Sequence, residues 1–353
     1  MTLEAPLLDG IQATMVDTPR LRTHILSSGP AYGEPVVLVH GNCSAARFFE
    51  ELMLAIPQRY RVIAPDMRGY GRTQLKALDA SRGVRDFSDD LHALVTTLGL
   101  EKIHLVGWSL GGNVVMQYVI DYPGTLASLT LIAPGSPYGF GGTRDIQGTP
   151  TNSDYAGSGA GVTNAEFIRL LGLKDRSGDS PFSPRNVVNA LYYKAPFKAA
   201  REDVFLEEVL STVCSLENYP GDAIDSANWP GKAPGVMGIT NALSPKYLNQ
   251  AELANIQAKP DILWIRGDSD TIVSDTSTSD IGYLGKLGLV PGWPGDELYP
   301  PQPMVSQTRA VLERYAANGG SYHEVVLEDC GHSPHIEKPE VFYDVFVKFL
   351  ESV

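Results

Sequence analysis

The sequence predicts an α/β fold, in which one mostly parallel central sheet is flanked by helices and interrupted by an inserted helical cap. Short β-branched apolar runs recur at 36–39, 61–64, 103–106, 129–132, 262–265 and 324–327, and each has the character of a strand buried on both faces. Amphipathic stretches separate them, and strands alternating with helices build a parallel sheet covered on both sides. The 353 residues suffice for a large core carrying insertions.

The elements follow in order. Run 36–39 leads into His40, Gly41 and Asn42, and run 61–64 leads into a turn holding Asp66, Arg68, Gly69, Gly71 and Arg72. The stretch 87–98 places Phe87, Leu91, Leu94, Val95 and Leu98 on one helical face. Run 103–106 passes straight into Gly107, Trp108, Ser109, Leu110 and Gly111, after which Val114, Val115, Tyr118 and Val119 recur at helical spacing. Trp108 is expected to pack under the sheet.

After 129–132 the alternation breaks, between Pro134 and about Pro260. A Gly/Pro/Ser-rich tract at 135–142 opens this region, and helical patterns follow near 164–171, 184–193 and 200–213. Phe167, Leu170, Leu171, Tyr192, Tyr193 and Phe197 supply too many apolar anchors for a disordered insertion, so only 141–161 reads as mobile. The expected organisation is a core formed by 1–134 and 255–353, with a cap at 135–254. A second insertion, 274–320, contains Trp293 among prolines and a helix at 304–317; run 324–327 and a helix at 341–350 close the chain.

A net charge of −13 with no Lys/Arg run argues against nucleic acid or an anionic membrane as partner. Residues 1–10 show neither a basic n-region nor a long apolar h-region, and no apolar run is long enough to span a bilayer. Cys43, Cys214 and Cys330 are odd in number and lack C-x-x-C spacing, so neither a disulfide framework nor a zinc site is expected. A soluble protein of the cytoplasm is the simplest expectation. With no phosphate loop, G-x-G-x-x-G element or metal cluster, no cofactor is required.

Gly107 to Gly111 has the form of a nucleophile elbow, in which a serine on a strained strand-to-helix turn projects its hydroxyl above the sheet. That hydroxyl is a poor nucleophile at neutral pH. It needs a neutral imidazole to take its proton and a carboxylate to fix the imidazole's tautomer. Of seven histidines, His332 is marked out by its place after the last strand, in a loop with Gly331, Ser333 and Pro334; His335 is its nearest rival. Asp268 and Asp270 both follow the 262–265 strand, with Asp275 close by. A negative tetrahedral oxygen needs preorganised donors, and the helix starting at Leu110 offers its backbone N–H.

Together these motifs resemble the α/β-hydrolase fold superfamily, in its serine-nucleophile, esterase- and lipase-like branch with a helical lid. The resemblance runs from about residue 30 to the end, apart from the two insertions, and the order Ser, Asp, His is also the family's. It implies Ser109 as nucleophile, His332 as base and Asp270 as acid, because the family's acid usually lies three residues after the strand-ending glycine, Gly267. It also implies Asn42 as the second oxyanion donor, with Leu110, and His40 as a support of that loop. Whether the Asn42 side chain donates as well stays open. Serine at the elbow excludes the aspartate-nucleophile branches of the family.

The expected activity is hydrolysis of small to medium, largely apolar carboxylic esters or lactones. The lid residues Tyr138, Phe140, Phe167, Tyr192, Tyr193, Phe197 and Trp229 could line a pocket or simply hold the lid down. One alternative is C–C bond hydrolysis of a β-diketone or vinylogous acid, favoured by a cation such as Lys174, Arg169 or Arg185 reaching the pocket. Another is a non-catalytic receptor for a small ligand, and a third is a perhydrolase or acyltransferase. The oligomeric state is left open, a homo-oligomer included.

Overall fold

A computed structural model describes residues 5–353; the reading of 1–10 as leaderless falls partly outside the described residues. Eight strands form one sheet: β1 (Gln12–Asp17), β2 (Arg22–Ser28), β3 (Glu34–Val39), β4 (Tyr60–Pro65), β5 (Ile103–Trp108), β6 (Leu126–Ile132), β7 (Asp261–Gly267) and β8 (Tyr322–Leu327). Their order is β1-β2-β4-β3-β5-β6-β7-β8, with β3 to β8 parallel and the β1–β2 hairpin antiparallel at one edge.

All six expected strands form. The hairpin was not foreseen, for a physical reason: β1 lies exposed or half-buried along its length, so no apolar alternation marks it. In β5, by contrast, all six residues are buried. The registers Val39 opposite Gly107, Trp108 opposite Ile132 and Ile265 opposite Ile132 bring the carboxyl ends of the central strands level. Loops leaving that edge are where open parallel sheets place their sites.

Helices α1 (Arg85–Thr97), α2 (Leu110–Asp121), α5 (Met304–Ala317) and α6 (Pro339–Ser352) pack on the sheet's faces, with α3 (Ala165–Gly172) and α4 (Glu202–Leu210) in the segment between β6 and β7. In α1 the expected apolar face is buried, yet Asp86 and Asp90 are buried beside it. The cause lies in Arg68, whose guanidinium reaches Asp90 at 2.6 Å and Asp86 at 3.1 Å, joined by Arg20 at 2.7 Å from Asp90. These pairs fix the turn after β4.

In the same turn Asp66 accepts from the backbone N–H of Ala46 and Arg72 and meets His24 Nδ1 at 2.7 Å. Only glycine fits at Gly71, where φ is +53° and a Cβ would lie 2.1 Å from the Asp66 carboxylate.

Between β6 and β7 the expected helices form, the second as a short α turn running into a wider five-residue turn (188–192) and the third stopping at Leu210. Two-stranded ribbons add to them. The tract 141–161, expected to be mobile, is instead pinned: the Gly141 N–H donates to Gln302 Oε1 (2.6 Å), the Gly157 N–H to Lys232 O (3.0 Å) and the Tyr299 hydroxyl to Ala156 O (3.0 Å). Among the described residues no helix is long and apolar enough to cross a membrane.

Candidate active site

Ser109 follows the last residue of β5 and precedes the first of α2, with φ +56° and ψ −120°. A non-glycine residue pays for such a backbone, and the surroundings must hold it there. They do so through close backbone approach. A Cβ on Gly107 would lie 2.3 Å from Gly111 O, and one on Gly111 would lie 2.2 Å from Val39 O. The Ser109 N–H donates to Ile132 O (2.9 Å), and its carbonyl accepts from Gly112 (2.8 Å) and Gly135 (3.3 Å). With Leu110 opening the helix, the first backbone N–H groups of α2 have no partner within the helix.

Asp270 and His332 come together from the loops after β7 and β8. The imidazole Nδ1 stands 2.7 Å from Asp270 Oδ2, and both side chains are almost wholly buried. The other carboxylate oxygen accepts the N–H groups of Ile272 (2.8 Å) and Val273 (2.9 Å), which fixes the acid's rotamer. Because a carboxylate only accepts, the proton between them sits on Nδ1 and the lone pair is left on Nε2. The His332 carbonyl accepts from the Trp108 indole N–H at 2.8 Å, so the residue before the serine anchors the histidine's loop. Among the described residues the Ser109 hydroxyl forms no hydrogen bond, and such links often tighten only with substrate bound.

The rivals are engaged elsewhere. Asp268 accepts from the Ser269 hydroxyl (2.7 Å) and closes the turn against Cys330. Asp275 receives the N–H groups of Val305 and Ser306 at the start of α5. His335 is packed among Trp108, Phe49 and Phe342, and burial, with the nearby His332 adding to it, lowers its imidazole to about 3. It is a neutral core ring.

The loop after β3 lies against the elbow, where a Cβ on Gly41 would be 3.1 Å from Ser109 Cβ. His40 Nε2 accepts the Met67 N–H (2.9 Å), so its proton is on Nδ1 and reaches Gly41 O at 2.8 Å. Burial lowers this imidazole to about 4, with Asp66 opposing, and keeps it a neutral strut. Asn42 Oδ1 accepts the Tyr70 hydroxyl at 2.6 Å, while the Tyr192 hydroxyl donates to the carbonyls of Asn42 (2.7 Å) and Cys43 (3.1 Å). Burial drives the Cys43 thiol up to about 12, which rules it out as a thiolate nucleophile.

Sequence reasoning missed Tyr70, the Trp108–His332 bond and Glu337, which accepts from backbone N–H groups around the histidine. Tyr70 sits between the two turn glycines, Gly69 and Gly71, which was the available signal. Trp108 packs on Phe48 and Tyr192 as well as bonding His332. The three cations singled out earlier are occupied: Arg169 by Glu166, Arg185 by Glu202 and Asp203, and Lys174 by the carbonyls of Leu210 and Thr212. Trp229 bonds Pro291 O and packs edge-on against Tyr299. Among the described residues no group of three His, Cys, Asp or Glu side chains could hold a metal ion, and the three cysteines are free.

The family model of the alpha/beta hydrolase family matches this chain over residues 36–345. The chain belongs to that family. Solved structures share its fold at low identity: a serine hydrolase of Cycloclasticus zankles (TM-score 0.62, 16% identity, 97% of this chain and 98% of that one) and a carboxylesterase of Bacillus subtilis (TM-score 0.59, 15%, 98% and 93%). In sequence, this member of the alpha/beta hydrolase family is 24% identical over 342 residues to an uncharacterized protein of Mycobacterium tuberculosis, covering 97% of this chain and 81% of the relative. A more local similarity, 31% over 107 residues (29% of this chain, 37% of the relative), is to the 2-hydroxy-6-oxo-6-phenylhexa-2,4-dienoate hydrolase of Comamonas testosteroni.

Proposed function

We propose that the protein is a serine hydrolase of carboxylic esters or lactones, acting on small to medium, largely apolar substrates under a cap formed by residues 135–254. The observation that carries this reading is the buried Asp270–His332 pair, whose histidine loop is tied by the Trp108 indole to the residue before a serine held at positive φ on a helix start. Ser109 Oγ attacks the acyl carbon as His332 Nε2 takes its proton, and Asp270 stabilises the imidazolium through Nδ1. The backbone N–H groups of Leu110 and Asn42 receive the oxyanion; removing one donor of this kind typically costs about 10²–10³ in turnover. The imidazolium then protonates the leaving alkoxide. Water, activated by the same imidazole, cleaves the acyl-enzyme and regenerates Ser109.

The local similarity to a dienoate hydrolase favours C–C bond hydrolysis as a second reading, since that chemistry can use the same three residues. It has less support. A substrate carboxylate calls for a cation at the pocket, and the three weighed for that role, Arg169, Arg185 and Lys174, are each committed to other partners. A panel of p-nitrophenyl esters of increasing acyl length, lactones and a vinylogous diketone, run on wild type and Ser109→Ala, separates the readings. Ester turnover with a chain-length optimum, lost in Ser109→Ala, supports the esterase. Diketone cleavage without ester turnover supports the second reading, and silence throughout points to a ligand receptor.

A further inference from the structure

Glu337 carries no role in the reaction just described, yet its buried carboxylate is surrounded by backbone donors. The Gly331 N–H lies 3.0 Å from each of its oxygens, the Ser333 N–H 3.2 Å from Oε1 and the Lys194 N–H 2.7 Å from Oε2. Two of these donors flank His332, so the peptides on both sides of the histidine are anchored to one carboxylate. The third comes from the cap. The contact is intimate, because a Cβ on Gly331 would lie 2.7 Å from Lys194 N. Two residues earlier, the Tyr192 hydroxyl grips the carbonyls of Asn42 and Cys43. Residues 192–194 thereby touch both halves of the site, the oxyanion loop through a phenol and the histidine loop through Glu337. The Lys194 ammonium adds an ion pair to Asp329 on the same loop.

We propose that Glu337 is a positioning residue that aligns His332 and couples this alignment to the seating of cap residues 192–194, a role that rests on the hydrolase reading above. An ionised carboxylate can take several N–H bonds at once, and charge-assisted bonds are about twice as strong as neutral ones. A glutamine in its place turns one acceptor into an NH₂ that faces backbone N–H groups, so the shared anchor is broken while volume is kept. The imidazole would keep Asp270 but lose the backbone placement that aims Nε2 at Ser109, and small misplacements of that kind are costly.

The test uses the full-length protein and Glu337→Gln, with three readouts: the rate of covalent labelling of Ser109 by a fluorophosphonate, ester kcat and KM, and amide hydrogen exchange. Labelling and kcat are expected to fall together by about 10–100-fold with KM changed far less. Exchange is expected to rise by about tenfold in both 190–197 and 329–335, while 103–108 stays protected. If the variant does not fold, Glu337→Asp keeps the charge, shortens the reach by one methylene and should give the same paired rise. Equal labelling of wild type and variant, or faster exchange in 329–335 with 190–197 unchanged, overturns the proposal. A wild type that resists the fluorophosphonate overturns the hydrolase reading instead, and the paired exchange then decides the coupling by itself.

Discussion

The sheet and the segment between β6 and β7 bury their backbones by different means. In the sheet, ladder hydrogen bonds satisfy the strands, and apolar side chains such as Leu105, Val106, Leu129 and Leu131 exclude water. In the segment, long loops run through the interior, and amide side chains satisfy them. Asn241, fully buried, donates to Asp222 O and Met237 O (2.7 Å each) and accepts the Ala160 N–H at 2.9 Å. Gln302 and Gln307 bond to each other and to Gly139 O, Gly141 N–H, Thr143 and Asp145 O. The difference teaches that irregular chain can be as fixed as a sheet when each buried carbonyl and N–H finds a side-chain partner.

The proposed chemistry lies where the two regions meet, and the sharpest break of the comparison acts there. Ser109→Ala should lower ester turnover by about 10⁴-fold or more while the melting temperature stays within experimental error of wild type, measured by initial rates and calorimetry. The two aspartates after β7 sharpen it next. Asp270→Asn should cost about 10²–10⁴ in kcat, because the wrong histidine tautomer is favoured, whereas Asp268→Asn should cost less than about tenfold. The reverse order in a side-by-side kcat measurement would move the acid to Asp268.

A smaller effect addresses the segment alone. Asn241→Ala leaves one N–H and two carbonyls without their partner and should destabilise by about 2–4 kcal/mol in urea titration, comparable with truncating a buried leucine such as Leu105 in the sheet. A loss under about 0.5 kcal/mol would show that the amide is decoration.

The smallest effect has the opposite sign. Burial, with the Asp66 carboxylate adding to it, raises the Glu208 carboxyl on α4 to about 7, although Arg72 lies 3.6 Å away. The folded state therefore holds this proton more tightly than the unfolded chain, and stability from this group falls as pH rises from about 4.5 to 7. Glu208→Gln should stabilise by about 1–3 kcal/mol at pH 8 and by little near pH 4.5, read from melting temperatures at the two pH values. A gain independent of pH would contradict it.

The same contrast governs what was legible in the sequence. The six parallel strands, α1, α2 and α5 announce themselves because apolar periodicity is the force that builds them. Ser109 is visible because its strained turn needs glycine at 107 and 111, and His332 because it follows the last strand. The β1–β2 hairpin was silent, since β1, its exposed edge strand, requires no apolar pattern. The anchoring of 141–161 was silent too, because glutamines at 302 and 307 look like surface residues until a fold buries them. Tyr70 bonds the Asn42 side chain, Tyr192 the Asn42 and Cys43 carbonyls and Glu337 the Lys194 N–H, all distant along the chain, and no local spacing encodes such partners.

The central claim is that Ser109 is the residue that becomes acylated. Rapid mixing of the enzyme with a p-nitrophenyl ester, acid quench and intact-mass analysis followed by peptide mapping tests it most directly. The account predicts one acyl group on the peptide bearing Ser109, absent from Ser109→Ala. An acyl group on another residue, or unchanged ester turnover in Ser109→Ala, would contradict it.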